Sequence, residues 1–122
     1  MAWVDYKKAY DMVPHSWLLE VIGMMGVADN ICNLLRQSMM HWKTMLTAAD
    51  QNLGTVQIRR GIFQGDSLSP LLFVMVMAPL TMLLNDESKG YQLGNSGKLV
   101  NHLLFMDDLK LYAKSQDEVD AL

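Results

Sequence analysis

Cysteine is nearly absent: Cys32 stands alone in 122 residues. No internal disulfide can form, and no zinc site can be built from cysteines. A lone thiol fits an intracellular, reducing setting, in the nucleus or the cytoplasm rather than outside the cell. Positive charge is also short. Ten Lys and Arg face thirteen Asp and Glu for a net charge of −3, and no basic run exceeds two residues. Nucleic-acid binders usually carry a basic face, so bulk charge argues against that role and any such role needs another explanation. Long hydrophobic runs are missing too. The longest, Leu71 to Leu84, has 14 residues and contains Pro79 and Thr81. That is too short to cross a bilayer, so it reads as a buried helix, with no membrane partner. At the N-terminus Asp5, Lys7 and Lys8 interrupt the chain before an apolar run develops, and no signal peptide is visible.

What is present describes an ordinary globular chain, 51% apolar and 19% charged, long enough for one small domain with one core. Methionine is the odd component, with 11 copies. Either the core is adaptable, because Met fills irregular gaps, or the excess is compositional bias. No internal repeat, low-complexity tract or linker interrupts the sequence.

Ala2-Trp3-Val4 is a short apolar run ending at Asp5, the tail of a buried strand. Pro14 breaks the next segment. From Ser16 to Met25, Trp17, Leu18, Val21, Ile22 and Met25 recur at helical spacing, and Gly26 supplies a stop. Asp29 suits the N-cap of a second helix carrying Ile31, Leu34, Leu35 and Met39. Residues 44–47 and 55–58 read as two strands joined by the polar turn 50–54. A loop covers 61–66. Ser67 or Ser69 then caps a helix that has Pro70 in its first turn and runs to about Leu84. Two apolar runs, Leu99–Met106 and Leu109–Ala113, form a hairpin around Asp107-Asp108. Ser115 and Glu118 match a capping box for a last helix. This order implies an α+β fold, with helices packed on one face of a mainly antiparallel sheet.

Adjacent aspartates at a turn have a plain explanation, because Asp hydrogen-bonds its own backbone there. The apolar flanks supply another. They hold two like charges beside a core, where the charges repel unless a cation neutralises them. Oxygen-only ligands suit Mg²⁺ or Mn²⁺. Asp5 ends a second apolar strand, and carboxylates from two strand ends can hold the paired metals of in-line phosphoryl displacement. Spacing alone does not bring Asp5 to Asp107.

Three segments carry a family resemblance. Residues 4–15, VDYKKAYDMVPH, resemble the first palm motif of non-LTR retrotransposon and group II intron reverse transcriptases. Residues 60–73, RGIFQGDSLSPLLF, resemble the second. His102-Leu103-Leu104-Phe105-Met106-Asp107-Asp108 resembles the third, an aromatic-x-Asp-Asp box. The ordered trio spans nearly the whole chain and implies a polymerase palm over residues 1–122. The resemblance implies RNA-directed DNA synthesis with two Mg²⁺ or Mn²⁺ ions, and with an RNA template, a DNA primer and deoxynucleoside triphosphates as partners.

Position by position, the resemblance makes Asp5 and Asp107 the principal metal ligands, with Asp108 beside them and the Tyr6 carbonyl facing a metal. It makes Tyr10 the aromatic gate against a ribose 2′-OH, the other reading of Tyr10 being a core tyrosine. Gln64 and Gly65 would line the incoming nucleotide and template, and Phe63, Asp66, Ser67 and Met106 the template and primer. Lys7 and Lys8 either meet phosphate or form a solvated pair. Asp11 reads as a local cap. His15, His41 and His102 lack metal-ligand spacing, and His102 reads as a strand residue with a satisfied ring. Two positions depart from the family: Phe63 is often basic there, and Met106 is usually Ala in non-LTR enzymes. The family also has fingers before the palm and a thumb after it, so this chain reads as a fragment whose faces around Trp17 and Trp42 await those segments. The resemblance also weakens the charge objection without removing it, since a palm is acidic around its metals and the basic phosphate-gripping surfaces lie largely in flanking subdomains. The alternatives are an RNA-dependent RNA polymerase palm and a maturase-like or degenerate RNA-binding palm without catalysis.

Overall fold

A computed structural model describes residues 1–95 and 97–122. In chain order the elements are β1 (Ala2–Asp5), α1 (Ala9–Met12), α2 (His15–Met24), α3 (Asp29–His41), β2 (Lys43–Ala48), β3 (Gln51–Gln57), α4 (Ser69–Asp86), β4 (Tyr91–Gln92), β5 (Leu99–Val100), β6 (His102–Phe105), β7 (Asp108–Leu111) and α5 (Gln116–Asp120). Among the described residues every strand pairing is antiparallel, so the class is α+β, and the strands form three small sheets, β1-β7-β6, β2-β3 and β4-β5, rather than one. Two compact units divide the chain: Met1–Ala9 with Met77–Leu122, and Tyr10–Val76.

In the unit built from the two chain ends, β7 is the middle strand of the three-stranded sheet. Alternation decides its faces. Leu109 is buried, and Val4 and Leu104, its partners across the two ladders, are half-buried. Trp3, Asp5, Leu103, Phe105 and Asp108 lie on the opposite, exposed face. The expected continuous strand from Leu99 is split at Asn101, which is buried. Its amide nitrogen donates to the Leu84 carbonyl, and its side-chain oxygen meets His102 Nδ1 at 2.7 Å. A buried amide needs such partners, and meeting them interrupts the ladder. The His102 ring is thus satisfied, and burial holds its pKa below the ordinary imidazole value. Ser115 caps α5 by accepting the Glu118 N–H at 3.3 Å, while Glu118 accepts the Lys114 N–H at 3.0 Å.

The unit formed by Tyr10–Val76 has the larger core. Leu18, Val21 and Ile22 from α2 are buried, with Cys32 and Met39 from α3, and with Ile62, Leu72, Phe73 and Val76. Trp42 packs edge-on to His15 at 5.3 Å and tilted on Phe63 at 4.6 Å. It is therefore held within this unit rather than left bare. Trp17 fits its expectation better, being 38% exposed with its indole N–H donating to the Val76 carbonyl at 3.3 Å.

Several boundaries differ from the sequence reading. Helix α1 was not expected; it is only 4 residues long, below any periodic signal. Asp29 is the first residue of α3, and Ala28 holds the N-cap position without a side-chain bond. The β2-β3 hairpin turns on Ala49 and Asp50, both at positive φ (46° and 61°). That is the pattern of a two-residue primed turn, and β3 runs through residues 51–54 of the segment read as a polar turn, with a register shift between Leu46 and Thr47. Helix α4 has 18 residues, long and apolar enough to cross a membrane by length and composition, and 28% of it is buried. The expectation of a buried 14-residue run too short to cross a bilayer fails at both points. The helix starts at Ser69 with Pro70 in its first turn, as read, but runs past Leu84 over Asn85-Asp86, and Leu71, Val74, Met82 and Leu83 face outward.

Gly61 is dictated by its surroundings. It takes φ of 89°, and a Cβ there would lie 2.8 Å from the Asp11 carbonyl oxygen. Its N–H donates to the Val13 carbonyl at 2.8 Å, and the next N–H, of Ile62, to Tyr10 at 3.0 Å. Gly61→Ala is expected to destabilise the chain by about 3 kcal/mol, from backbone strain plus displacement of the α1 backbone. A urea midpoint for the variant matching the parent's would contradict this.

Candidate active site

Strand pairing brings carboxylates together from opposite ends of the sequence. The register of β1 on β7 sets Asp5 against Asp108, Val4 against Leu109 and Trp3 against Lys110. Directly opposed residues have Cα atoms about 4.5–5.5 Å apart and side chains on one face. The face assignment has an independent check, because the Lys110 ammonium lies 3.5 Å from the Trp3 ring centroid. On the other edge of β7, Phe105 stands opposite Asp108. One row across the sheet therefore reads Asp5, Asp108, Phe105.

Asp107 sits in the two-residue loop between β6 and β7, together with Met106. Met106 has φ of 53°, an uncommon conformation for a residue with a side chain. It is the geometry that a tight hairpin requires of its first loop residue. Asp107 is half-buried, whereas Asp5 and Asp108 are exposed, and the Tyr6 residue following Asp5 is half-buried. The structure thus gives Asp108, rather than Asp107, as the direct neighbour of Asp5 across the ladder. Among the described residues no three His, Cys, Asp or Glu side chains are gathered tightly enough to hold a metal ion by themselves. Exposed like charges have reason to stand apart. The donor set is nonetheless all oxygen, two facing carboxylates and one in the adjoining turn. It fits Mg²⁺ or Mn²⁺, which keep waters and take substrate phosphates as further ligands.

The remaining expected site residues belong to the Tyr10–Val76 unit. Tyr10 is half-buried and stacks on the buried Phe73 ring, with centroids 4.5 Å apart and planes 7° from parallel. A core contact and partial exposure coexist in this residue. A cavity of ≈ 400 Å³ is lined by Gln64 and Phe63 with Asp11, Ile58, Arg60, Gly61 and Ile62. Asp11, read as a cap, lies at this cavity. Gly65 has φ of 87°, and a Cβ there would meet nothing within 4 Å. Its glycine answers the backbone conformation and leaves open space in front of the chain. Asp66 is engaged locally, its carboxylate accepting the Leu68 N–H at 2.7 Å. Such an Asx-type bond shapes the entry to α4, the work expected of Ser67 or Ser69. Ser67 is exposed.

The Lys110–Trp3 pair was missed in the sequence. Alternation along β1 and β7 puts Trp3 beside Asp5 and Lys110 beside Asp108, and that signal was readable once the strands were paired. Lys7 and Lys8 are exposed, and Lys8 takes φ of 54°.

Comparison with known proteins agrees with the motifs. The whole chain, residues 1–122, matches the family described as reverse transcriptase (RNA-dependent DNA polymerase). It is 32% identical over 108 residues to a retrovirus-related Pol polyprotein from a type-1 retrotransposable element R2 of Popillia japonica, covering 88% of this chain and 18% of that protein. A similar R2 polyprotein of Nasonia vitripennis is 31% identical over 121 residues, covering 99% of this chain and 12% of the relative. The type-2 element R2DM polyprotein of Drosophila melanogaster is 29% identical over 113 residues, covering 93% and 10%. The chain thus spans less than a fifth of the length of these relatives. Paired carboxylates on neighbouring strands, three motifs in order and a match over every residue lead to one assignment: this chain belongs to the reverse transcriptase family.

Proposed function

We propose that this chain is the catalytic palm of an RNA-directed DNA polymerase, in which Asp5, Asp107 and Asp108 hold two Mg²⁺ or Mn²⁺ ions for nucleotidyl transfer to a primer 3′-OH. The observation that carries the reading is the register of Asp5 on Asp108 beside a turn bearing Asp107. Bound there, paired divalent ions would supply an activated attacking hydroxyl and neutralise charge on the transferring phosphoryl group. The residues themselves do the holding. Asp5 and Asp108 present oxygens from adjacent strands, and the row on the opposite face, buried Leu109 between half-buried Val4 and Leu104, fixes the strands that carry them. The Tyr6 carbonyl and the Asp107 carboxylate complete the ligand set.

Tyr10 acts as the sugar gate. Phe73 fixes one face of its ring, so the ring has little freedom to retreat from a 2′-OH. Gln64 and Gly65 line the incoming nucleotide, and Phe63, Asp66, Ser67 and Met106 the template and primer. Template-primer duplex is held mainly through phosphates. A chain with net charge −3 therefore needs the basic grip of fingers and thumb, and little or no processive extension is expected of it alone.

The test restores those segments from an R2 relative and compares ribonucleotide with deoxynucleotide incorporation. Tyr10→Ala is expected to raise the ribonucleotide share about tenfold or more, on the order of the discrimination that one steric contact provides. An unchanged ratio would reassign Tyr10 to the core and favour the RNA-polymerase alternative.

A further inference from the structure

One basic side chain shares the exposed face of the β1-β7-β6 sheet with the Asp5–Asp108 rung. Lys110 stands opposite Trp3, and its ammonium lies 3.5 Å from the Trp3 ring centroid. Trp3 is 63% exposed and Lys110 half-buried. Both belong to the unit built from the two chain ends, as Asp5 and Asp108 do. Two residues along a strand the same face returns, about 6–7 Å further on. The Trp3–Lys110 rung is therefore the neighbour of the Asp5–Asp108 rung on that face. A lysine stem is long enough to reach a carboxylate over this distance. Here the indole holds the ammonium instead: among the described residues the ion pair is Lys89 with Glu87, and none joins Lys110 to an aspartate.

We propose that Lys110 is the tethered counter-charge of the Asp5–Asp108 rung, a positioning residue that offsets the repulsion of the two carboxylates and limits how tightly divalent ions are held there. The proposal rests on the metal-holding reading of these aspartates. Like charges directly opposite each other on a ladder are destabilising, and an ammonium one rung away lowers that cost. The same charge opposes a divalent ion at the carboxylates, so its two effects have opposite signs. The ring contact gives the arrangement its meaning. A cation over an indole face is attracted by the ring, which keeps the ammonium near the aspartates without letting it close on Asp108 and take the place of an ion. Trp3 is thereby given a task on an exposed face, where burial does not account for it.

The test titrates the 122-residue chain with Mn²⁺ at neutral pH and low salt, reading the free ion by electron paramagnetic resonance. Lys110→Gln should bind Mn²⁺ about three- to tenfold more tightly than the parent, the scale of one charge acting on a divalent ion within a Debye length. Lys110→Arg keeps the charge and the ring contact and should match the parent. The gain in the Gln variant should shrink in roughly 1 M salt. Lys114→Gln makes the same change in net charge beyond the end of β7 and should leave affinity within about twofold. In EDTA, Lys110→Gln should shift the urea unfolding equilibrium about two- to fivefold toward the unfolded chain, and the shift should vanish in an Asp5→Asn/Asp108→Asn background. Equal Mn²⁺ affinity in the Lys110→Gln variant and the parent, an equal gain in Lys114→Gln, or a shift in EDTA that persists without the aspartates overturns the counter-charge role alone. A parent chain that binds no Mn²⁺ overturns the metal site and this inference with it, so the two failures read differently.

Discussion

Asp108→Asn, introduced into a polymerase completed with fingers and thumb, is expected to lower nucleotide incorporation roughly a thousandfold. That corresponds to about 4 kcal/mol of transition-state stabilisation, the scale seen when one preorganised electrostatic contact to a developing charge is removed. The substitution keeps shape and removes charge. Asp108 is exposed at the start of β7 and faces Asp5 across the ladder, so its loss should change metal affinity without disturbing packing. Asp5→Asn should behave alike, since either change leaves one carboxylate where two faced each other. Glu20→Gln is the control. It alters an exposed carboxylate on α2 rather than one in the β1-β7 ladder, and activity should stay within a few-fold. Single-turnover incorporation rates decide the matter. An Asp108→Asn rate within tenfold of the parent would contradict the assigned role.

Phe73→Ala should have the largest effect on stability. Phe73 is 2% exposed and is the largest of the fully buried side chains, which also include Leu18, Ile22 and Val21. Truncating such a ring costs about 3–5 kcal/mol. The parallel contact with Tyr10 contributes about 0.5–1.5 kcal/mol beyond area. Native domains have only about 5–15 kcal/mol in total, so the variant should be largely unfolded at moderate temperature. Chemical denaturation monitored by circular dichroism measures this, and an unchanged midpoint would show that the core is organised elsewhere. Phe73→Leu should fold and cost far less, while leaving Tyr10 without its stacking partner. A folded Phe73→Leu protein with a loosened sugar gate would tie core packing to substrate choice.

The legible parts of this fold are those where local chemistry and tertiary demand agree. Helices α2 and α3 follow their apolar spacing, and Ser115 caps α5 as its motif requires. The β6-β7 hairpin around the aspartates follows from two apolar runs and a tight turn. Less legible were features decided by distant partners. Nothing local says that Asn101 will give its amide to Leu84 and split a strand. Nothing local says that Ala49, not a glycine, will sit in a primed turn. The site divides in the same way. The hairpin register places Asp107 in the loop and Asp108 on the strand, but the pairing of β1 with β7 joins residues about a hundred positions apart, so its register was invisible in spacing. Family resemblance brought Asp5 to the pair; the sheet adds that the facing residue is Asp108. Composition was legible but misleading for α4, whose apolar run suggested burial although much of its surface is open.

The central claim is that these carboxylates form one divalent-cation site, and paramagnetic broadening by Mn²⁺ in an amide-resolved NMR spectrum tests it most directly. Broadening falls steeply with distance, so the bound ion marks its own neighbours. The predicted result is selective loss of the Asp5, Tyr6, Asp107 and Asp108 signals at substoichiometric Mn²⁺, reversed by excess Mg²⁺ and abolished by Asp5→Asn. Broadening centred instead on Asp11 and Asp66, or on Asp86 and Glu87, with the Asp5–Asp108 rung untouched, would contradict the account.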